Sequence, residues 1–186
     1  MSAGTSQFSQ FVRDIEAGSE DGIQAEEVSE CDLITFLAVA QKMQVDILPI
    51  TWQSARNMVG RGATSTIYEA LINSQTSFAF KCISDDQKQK LWKTNNFQTL
   101  INEVTVLSQL REHPNIVELQ GICWDVTADD EVWPVLVFEK AQFGDLYNFL
   151  KLPVGRDLSI PERLSLCVDI GTAIIDMHSH GMIIRS

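Results

Sequence analysis

The chain has 186 residues, 45% of them hydrophobic, with 14 Lys and Arg against 25 Asp and Glu and a formal net charge of −11. That length supports one sizeable core or a domain with an arm, and the composition excludes fibrous and wholly disordered classes. The acidic balance argues against nucleic acid or an anionic membrane surface as partner, because both require clustered Lys and Arg.

Residues 1 to 50 hold 9 acidic residues against 2 basic ones, Arg13 and Lys42, a net −7 that leaves only −4 for the remainder. Within this segment, residues 1–28 are rich in Ser, Gly, Gln and acids and poor in large apolar residues, so they predict a disordered acidic arm. Its opening "MSAGTSQFSQFVRD" lacks the basic start and apolar core of a signal peptide, and no apolar run approaches the ~20 residues of a membrane span. Cys31, Cys82, Cys123 and Cys167 lie far apart among apolar neighbours. They read as buried thiols of a reducing compartment, and a cytoplasmic location is expected. His113, His178 and His180 show no metal spacing, so no metal site is expected.

Ser29, with Asp32 three residues on, predicts a capping box, after which Leu33, Phe36, Leu37, Ala40 and Met43 fall on one helical face. Residues 29–50 thus read as a short helix and a linker. The apolar side of this helix either packs on the adjoining domain or docks another protein. From Trp52 the pattern becomes strand-like: "SARNMVGRG", "TSTIYEALI" and "FAFKCI" read as three strands in hairpin order. A helix is predicted across Phe97, Leu100, Ile101, Val104, Leu107 and Leu110. "NIVELQGICWD" and "VWPVLVFE" then read as a fourth and fifth strand, and "GDLYNFL" as a short helix. Ser159 and Glu162 form a second capping box around Pro161, opening a long helix whose Leu164, Cys167, Ile170, Ile174 and Met177 line one side. Leu166, Val168 and Ile175 lie away from that side and form an apolar surface prone to association if nothing covers it.

Three features carry chemistry. The corner Gly60-Arg61-Gly62-Ala63-Thr64-Ser65-Thr66-Ile67 lets backbone N–H groups approach a phosphate, or is merely a hairpin turn. No Gly-Lys-Ser or Gly-Lys-Thr follows it, and a strand rather than a helix comes next, so it is neither a Walker loop nor a dinucleotide fingerprint. Lys81 ends an apolar strand. Glu103 shares its helical face with Thr99, Leu100, Val106 and Leu107, where a carboxylate calls for a cation.

The order and spacing of these pieces resemble the eukaryotic-type protein kinase family. "GRGATSTI" is similar to its G-x-G-x-x-G-x-V loop, with Ser65 at the third glycine. "FAFK" is similar to the V-A-I-K strand, and Glu103 falls at the family's helix glutamate. "LREHPNIVELQGIC", "PVLVFEKAQFGDLYNFL" and "LSIPERLSLCVDIGTAIIDMHSHG" resemble the fourth strand, the fifth strand with hinge, and the helix before the catalytic loop. The resemblance runs from about Trp52 to Ser186. It implies an α+β fold: a kinase-like small lobe over 51–140, with a five-stranded antiparallel sheet and one helix, then the hinge and the first helices of a truncated large lobe over 141–186.

The resemblance also implies an ATP site. Gly60, Gly62 and Ser65 would lie over the phosphates, and Lys81 would hold them, oriented by Glu103. Ile67 and Ala79 would pack on adenine, Phe138 would guard the rear, Glu139 and Ala141 would offer backbone groups, and Asp145 would reach the ribose. Where the family has H-R-D, this chain reads Ile184-Arg185-Ser186, and a neutral serine cannot serve as the base in place of the catalytic aspartate. Neither the downstream Asn nor the D-F-G magnesium ligand occurs. The chain as written is therefore expected to be inactive, with weak ATP affinity and no magnesium ligands of its own. Three readings stand: a kinase chain cut short by a premature stop or a misplaced gene boundary, a non-catalytic pseudokinase-like module, or a scaffold that binds no nucleotide. The module would bind a protein partner through its acidic arm or its exposed helix.

Overall fold

The computed structural model describes residues 31–52, 57–62, 64–71, 77–94, 97–127 and 129–182. The expected arm over 1–28, Ser29 of the first capping box, and Ile184, Arg185 and Ser186 lie outside the described residues. In chain order the elements are α1 (Leu33–Lys42), β1 (Ile47–Trp52), β2 (Asn57–Arg61), β3 (Ser65–Leu71), β4 (Ser77–Ile83), α2 (Asp85–Thr94) and α3 (Gln98–Gln109). They continue with β5 (Leu119–Val126), β6 (Val132–Glu139), α4 (Leu146–Phe149), α5 (Pro153–Arg156) and α6 (Ile160–Ser179).

The α+β small lobe with the beginning of a large lobe is present, but its sheet has six strands rather than five, in the order β1-β5-β6-β4-β3-β2. The five expected strands pair antiparallel. The sixth, β1, lies parallel to β5, with Ile47 opposite Ile122 and Trp52 opposite Asp125. Its residues up to Ile50 were expected in a linker. Pro49 lacks an N–H to donate, which an edge strand tolerates, and its pairing partner comes after both α2 and α3.

A second helix between β4 and β5 also escapes the periodicity. The sequence of α2, "DDQKQKLWKT", carries no apolar stripe. Besides the packing of Leu91 against the core, it is tied down by charge: Lys88 Nζ donates to Asp125 Oδ2 on β5 at 2.8 Å, and both side chains are largely buried.

Strand alternation divides the core between the two faces of the sheet. On one face Phe80 and Cys82 of β4 join Ala70, Cys123, Val135 and Val137. On the other, Ile83, Ile122 and Leu136 receive α3 through Ile101 and Val104 and α1 through Phe36. Beside them β6 is buried along six consecutive residues, as a central strand covered on both faces should be.

At the start of α6 the second capping box is formed: Glu162 Oε2 accepts from the Ser159 hydroxyl at 2.6 Å and from its N–H at 2.7 Å. The hydroxyl bond first, then the backbone bond, hold the Glu162 pKa below the ordinary carboxylate value. A pKa depressed in the folded state contributes stability above the unfolded-state value, and this is lost as pH falls through the folded one. Acidification through the glutamate range should therefore fray the start of α6. The check is far-UV circular dichroism against pH, in which Ser159→Ala should show a smaller acid-induced loss of helix than the parent chain.

The long helix buries less than its periodicity predicts. Of the expected side, Leu164, Cys167, Ile170 and Ile174 are exposed and Met177 is half-buried, while Ala173 is buried. The reason is sparse neighbours. Asn115 Nδ2 reaches the Asp169 carbonyl at 3.2 Å and Thr172 Oγ1 at 3.0 Å, and Arg163 holds the α5 carbonyls of Gly155 and Arg156 at 3.3 and 2.9 Å. These are polar ties and cover little apolar surface. Among the described residues no helix is long and apolar enough to cross a membrane.

Candidate functional site

The site forms where the β2–β3 hairpin, β4 and α3 meet. The Gly62 N–H donates to the Ser65 carbonyl at 2.8 Å, closing the Gly-rich corner into a tight turn between two strands. On β3 and β4, Ile67 stands opposite Lys81, and Ala79 stands opposite both Glu69 on β3 and Phe138 on β6. Cross-strand partners share a face, so Ile67, Ala79, Lys81 and Phe138 look out from the same side of the sheet. Ile67 is partly exposed there, while Phe138 is buried.

Lys81 Nζ is ion-paired and hydrogen-bonded to Glu103 Oε1 across the gap between sheet and helix. The helix brings Glu103 to this side because Ile101 and Val104, its neighbours in sequence, are pulled into the core. About a quarter of each side chain is accessible, so the pair is shielded but reachable from solvent. Ser65, Lys81 and Glu103 line a small cleft of about 60 Å³ together with Thr64, Gln87 and Leu91. A lysine ammonium offers three N–H groups, and with one given to Glu103 it keeps donors that suit an anion.

The remaining expected residues lie along the chain toward the hinge. The Glu139 N–H donates to the Glu118 carbonyl at 3.2 Å, and its carboxylate accepts from the Glu118 N–H at 3.1 Å. The Ala141 carbonyl accepts from the Gly144 N–H at 3.2 Å. Asp145 is the N-cap of α4, its Oδ1 accepting from the Asn148 N–H at 2.8 Å, while Gly144 supplies the left-handed φ of 73° just before it.

A family profile described as "Protein kinase domain" matches residues 54–185. The chain belongs to the protein kinase family. Among curated proteins it is 34% identical over 127 residues to wall-associated receptor kinase-like 21 of Arabidopsis thaliana, covering 68% of this chain and 18% of that one. The putative wall-associated receptor kinase-like 16 of the same plant is 30% identical over 123 residues, covering 66% and 26%. The probable serine/threonine-protein kinase pats1 of Dictyostelium discoideum is 29% identical over 154 residues, covering 80% of this chain and 4% of its own. This kinase chain thus spans about a quarter or less of the curated relatives it matches. Among solved structures, an apo pseudokinase aligns over 66% of this chain and 45% of its own, with 23% identity and a TM-score of 0.45.

Kinases as a family use ATP with magnesium. In this chain Lys81 is the cationic group of the cleft, and Gly60 and Gly62 are not among its lining residues. Among the described residues no group of three or more His, Cys, Asp or Glu lies together as a metal-ligand set. Sequence reasoning missed a second ion pair on this kinase face, between Lys140 Nζ of the hinge and Glu69 Oε1 of β3. The signal was available, since Glu69 lies two residues beyond Ile67 and strand alternation puts both on one face.

Proposed function

We propose that this chain is the nucleotide-binding small lobe of a protein kinase, holding the α and β phosphates of ATP on Lys81 beneath the Gly60–Ser65 turn. The observation that carries the reading is the Lys81–Glu103 ion pair, which orients a lysine ammonium toward a cleft shared with the Gly-rich turn. Ile67, Ala79 and Phe138 supply an apolar side for adenine, and Glu139 and Ala141 supply the hinge backbone. Asp145 would meet the ribose from the end of α4. Ser186 stands where the family resemblance puts the proton-accepting aspartate. The test is the melting temperature of the chain with increasing ATP. A saturable rise supports the reading, and no rise at millimolar ATP overturns it.

A second reading, a kinase-like module that associates with protein, has its own support. Ile160, Val168 and Ile175 recur on one side of α6 and are all well over half exposed. Their exposure should make the chain associate as concentration rises. The doubly charged variant Val168→Glu/Ile175→Glu should shift sedimentation toward monomer with its melting temperature unchanged, and identical sedimentation of the two proteins would remove this support.

A further inference from the structure

We propose that α1 and its connection to β1 act as the positioning device for Glu103: they hold α3 at both ends and so set the geometry of the ion pair with Lys81. This goes beyond nucleotide binding and does not depend on it.

The N-terminal end of α3 has no side-chain cap of its own. Instead the Phe97 N–H donates to the Cys31 carbonyl at 2.6 Å, and Cys31 Sγ approaches Gln98 Oε1 at 2.7 Å. The Phe97 ring is held between Phe36 of α1 and Trp133 of β6, each with a centroid separation of 6.3 Å. Just past the other end, Arg111 Nη2 donates to the carbonyls of Met43 and Gln44, at 3.2 and 3.0 Å, where α1 terminates. A guanidinium is well placed there, because the final carbonyls of a helix are partly unpaired and carry the negative end of its dipole. Between these two ties Phe36 and Ala40 are fully buried in the cluster that also takes Ile101 and Val104.

The device is anchored to the sheet independently of α3. The left-handed Gln44 turns the chain, Val45 is buried, and the Asp46 carbonyl accepts from the Ile122 N–H at 2.8 Å before β1 runs along β5. Without α1 the helix would rest on the sheet largely through side-chain packing, which lets a helix slide, whereas hydrogen bonds at fixed backbone positions do not. Glu103 lies between the two tied ends, so a tilt or slide of α3 moves its carboxylate relative to Lys81.

The test uses the intact chain without nucleotide. Hydrogen exchange of residues 98–109 is measured together with the acylation rate of Lys81 by an amine reagent, read by peptide mass spectrometry, in the parent chain, Arg111→Ala, Arg111→Lys and Phe36→Ala. Arg111→Ala is expected to raise exchange across α3 and to label Lys81 several-fold faster, with β5 and β6 as protected as in the parent. Arg111→Lys, which can still donate to the two carbonyls, should restore part of both effects. Should Phe36→Ala unfold the chain, seen as lost protection in β5 and β6, the exposed Arg111 pair decides. Unchanged α3 exchange and Lys81 labelling in Arg111→Ala would overturn the proposal and leave α1 a stabilising element only.

Discussion

In the Lys81→Met variant, the stabilisation that ATP confers on the parent chain is expected to disappear, while the fold without ligand remains. A ligand bound by the native state alone contributes about 1.4 kcal/mol when present at ten times its dissociation constant, which for a chain of this size is a rise of about 3–6 °C. Methionine keeps the apolar stem between the register partners Ile67 and Leu136 and removes only the ammonium. Glu103 then loses its partner but remains about a quarter accessible and can be solvated, so the cost to the unliganded fold should be about 1 kcal/mol. The measurement is a thermal melt of both proteins across an ATP titration. An equal shift in Lys81→Met would place the nucleotide elsewhere. A lower starting temperature with a preserved shift would mean that the pair serves the fold alone.

The largest effect on stability is expected from Gly121→Ala. Gly121 sits in β5 at a register shift, with φ of 155°, and an added Cβ would stand 2.6 Å from the Asp46 carbonyl oxygen and 2.9 Å from Leu48 Cγ. One obstacle is backbone that is itself hydrogen-bonded to Ile122, so it cannot yield without lifting β1 from β5. Overpacking against backbone, added to a conformation that L side chains rarely adopt, should cost about 2–4 kcal/mol. Gly60→Ala is the control, since nothing lies within 4 Å of its added Cβ. Urea denaturation should show a much lower midpoint for Gly121→Ala and little change for Gly60→Ala. Hydrogen exchange of Ile47–Trp52 should rise in the former. Equal midpoints for Gly121→Ala and the parent would mean that the β1 edge carries none of the stability.

Much of the ion pair was legible beforehand because its two halves obey local rules. Glu103 occupies the apolar side of an amphipathic helix, where a carboxylate is costly without a cation, and Lys81 lies in the apolar strand that faces it, two residues before its end at Ile83. Period-two alternation likewise placed Ile67, Ala79 and Phe138 on one face once the strands paired. By contrast, α2 is held by Lys88 and Asp125, a contact between residues far apart in sequence that no window of periodicity contains. The same holds for β1. "ILPITW" neither alternates cleanly nor avoids proline, and it is a strand because β5 offers it an edge.

The sequence by itself determined the five antiparallel strands, the helix bearing Glu103, the capping box of α6 and the kinase family. Each rests on side-chain periodicity or on short motifs whose energetics act within a few residues. Only the tertiary structure decided that a sixth strand closes the edge beside β5, that α1 ties both ends of α3, and which residues of α6 are buried. Burial is a property of neighbours: Leu164 and Ile170 have the right period for a core, but α6 buries only what another element covers, and there Ala173 is the residue that is covered.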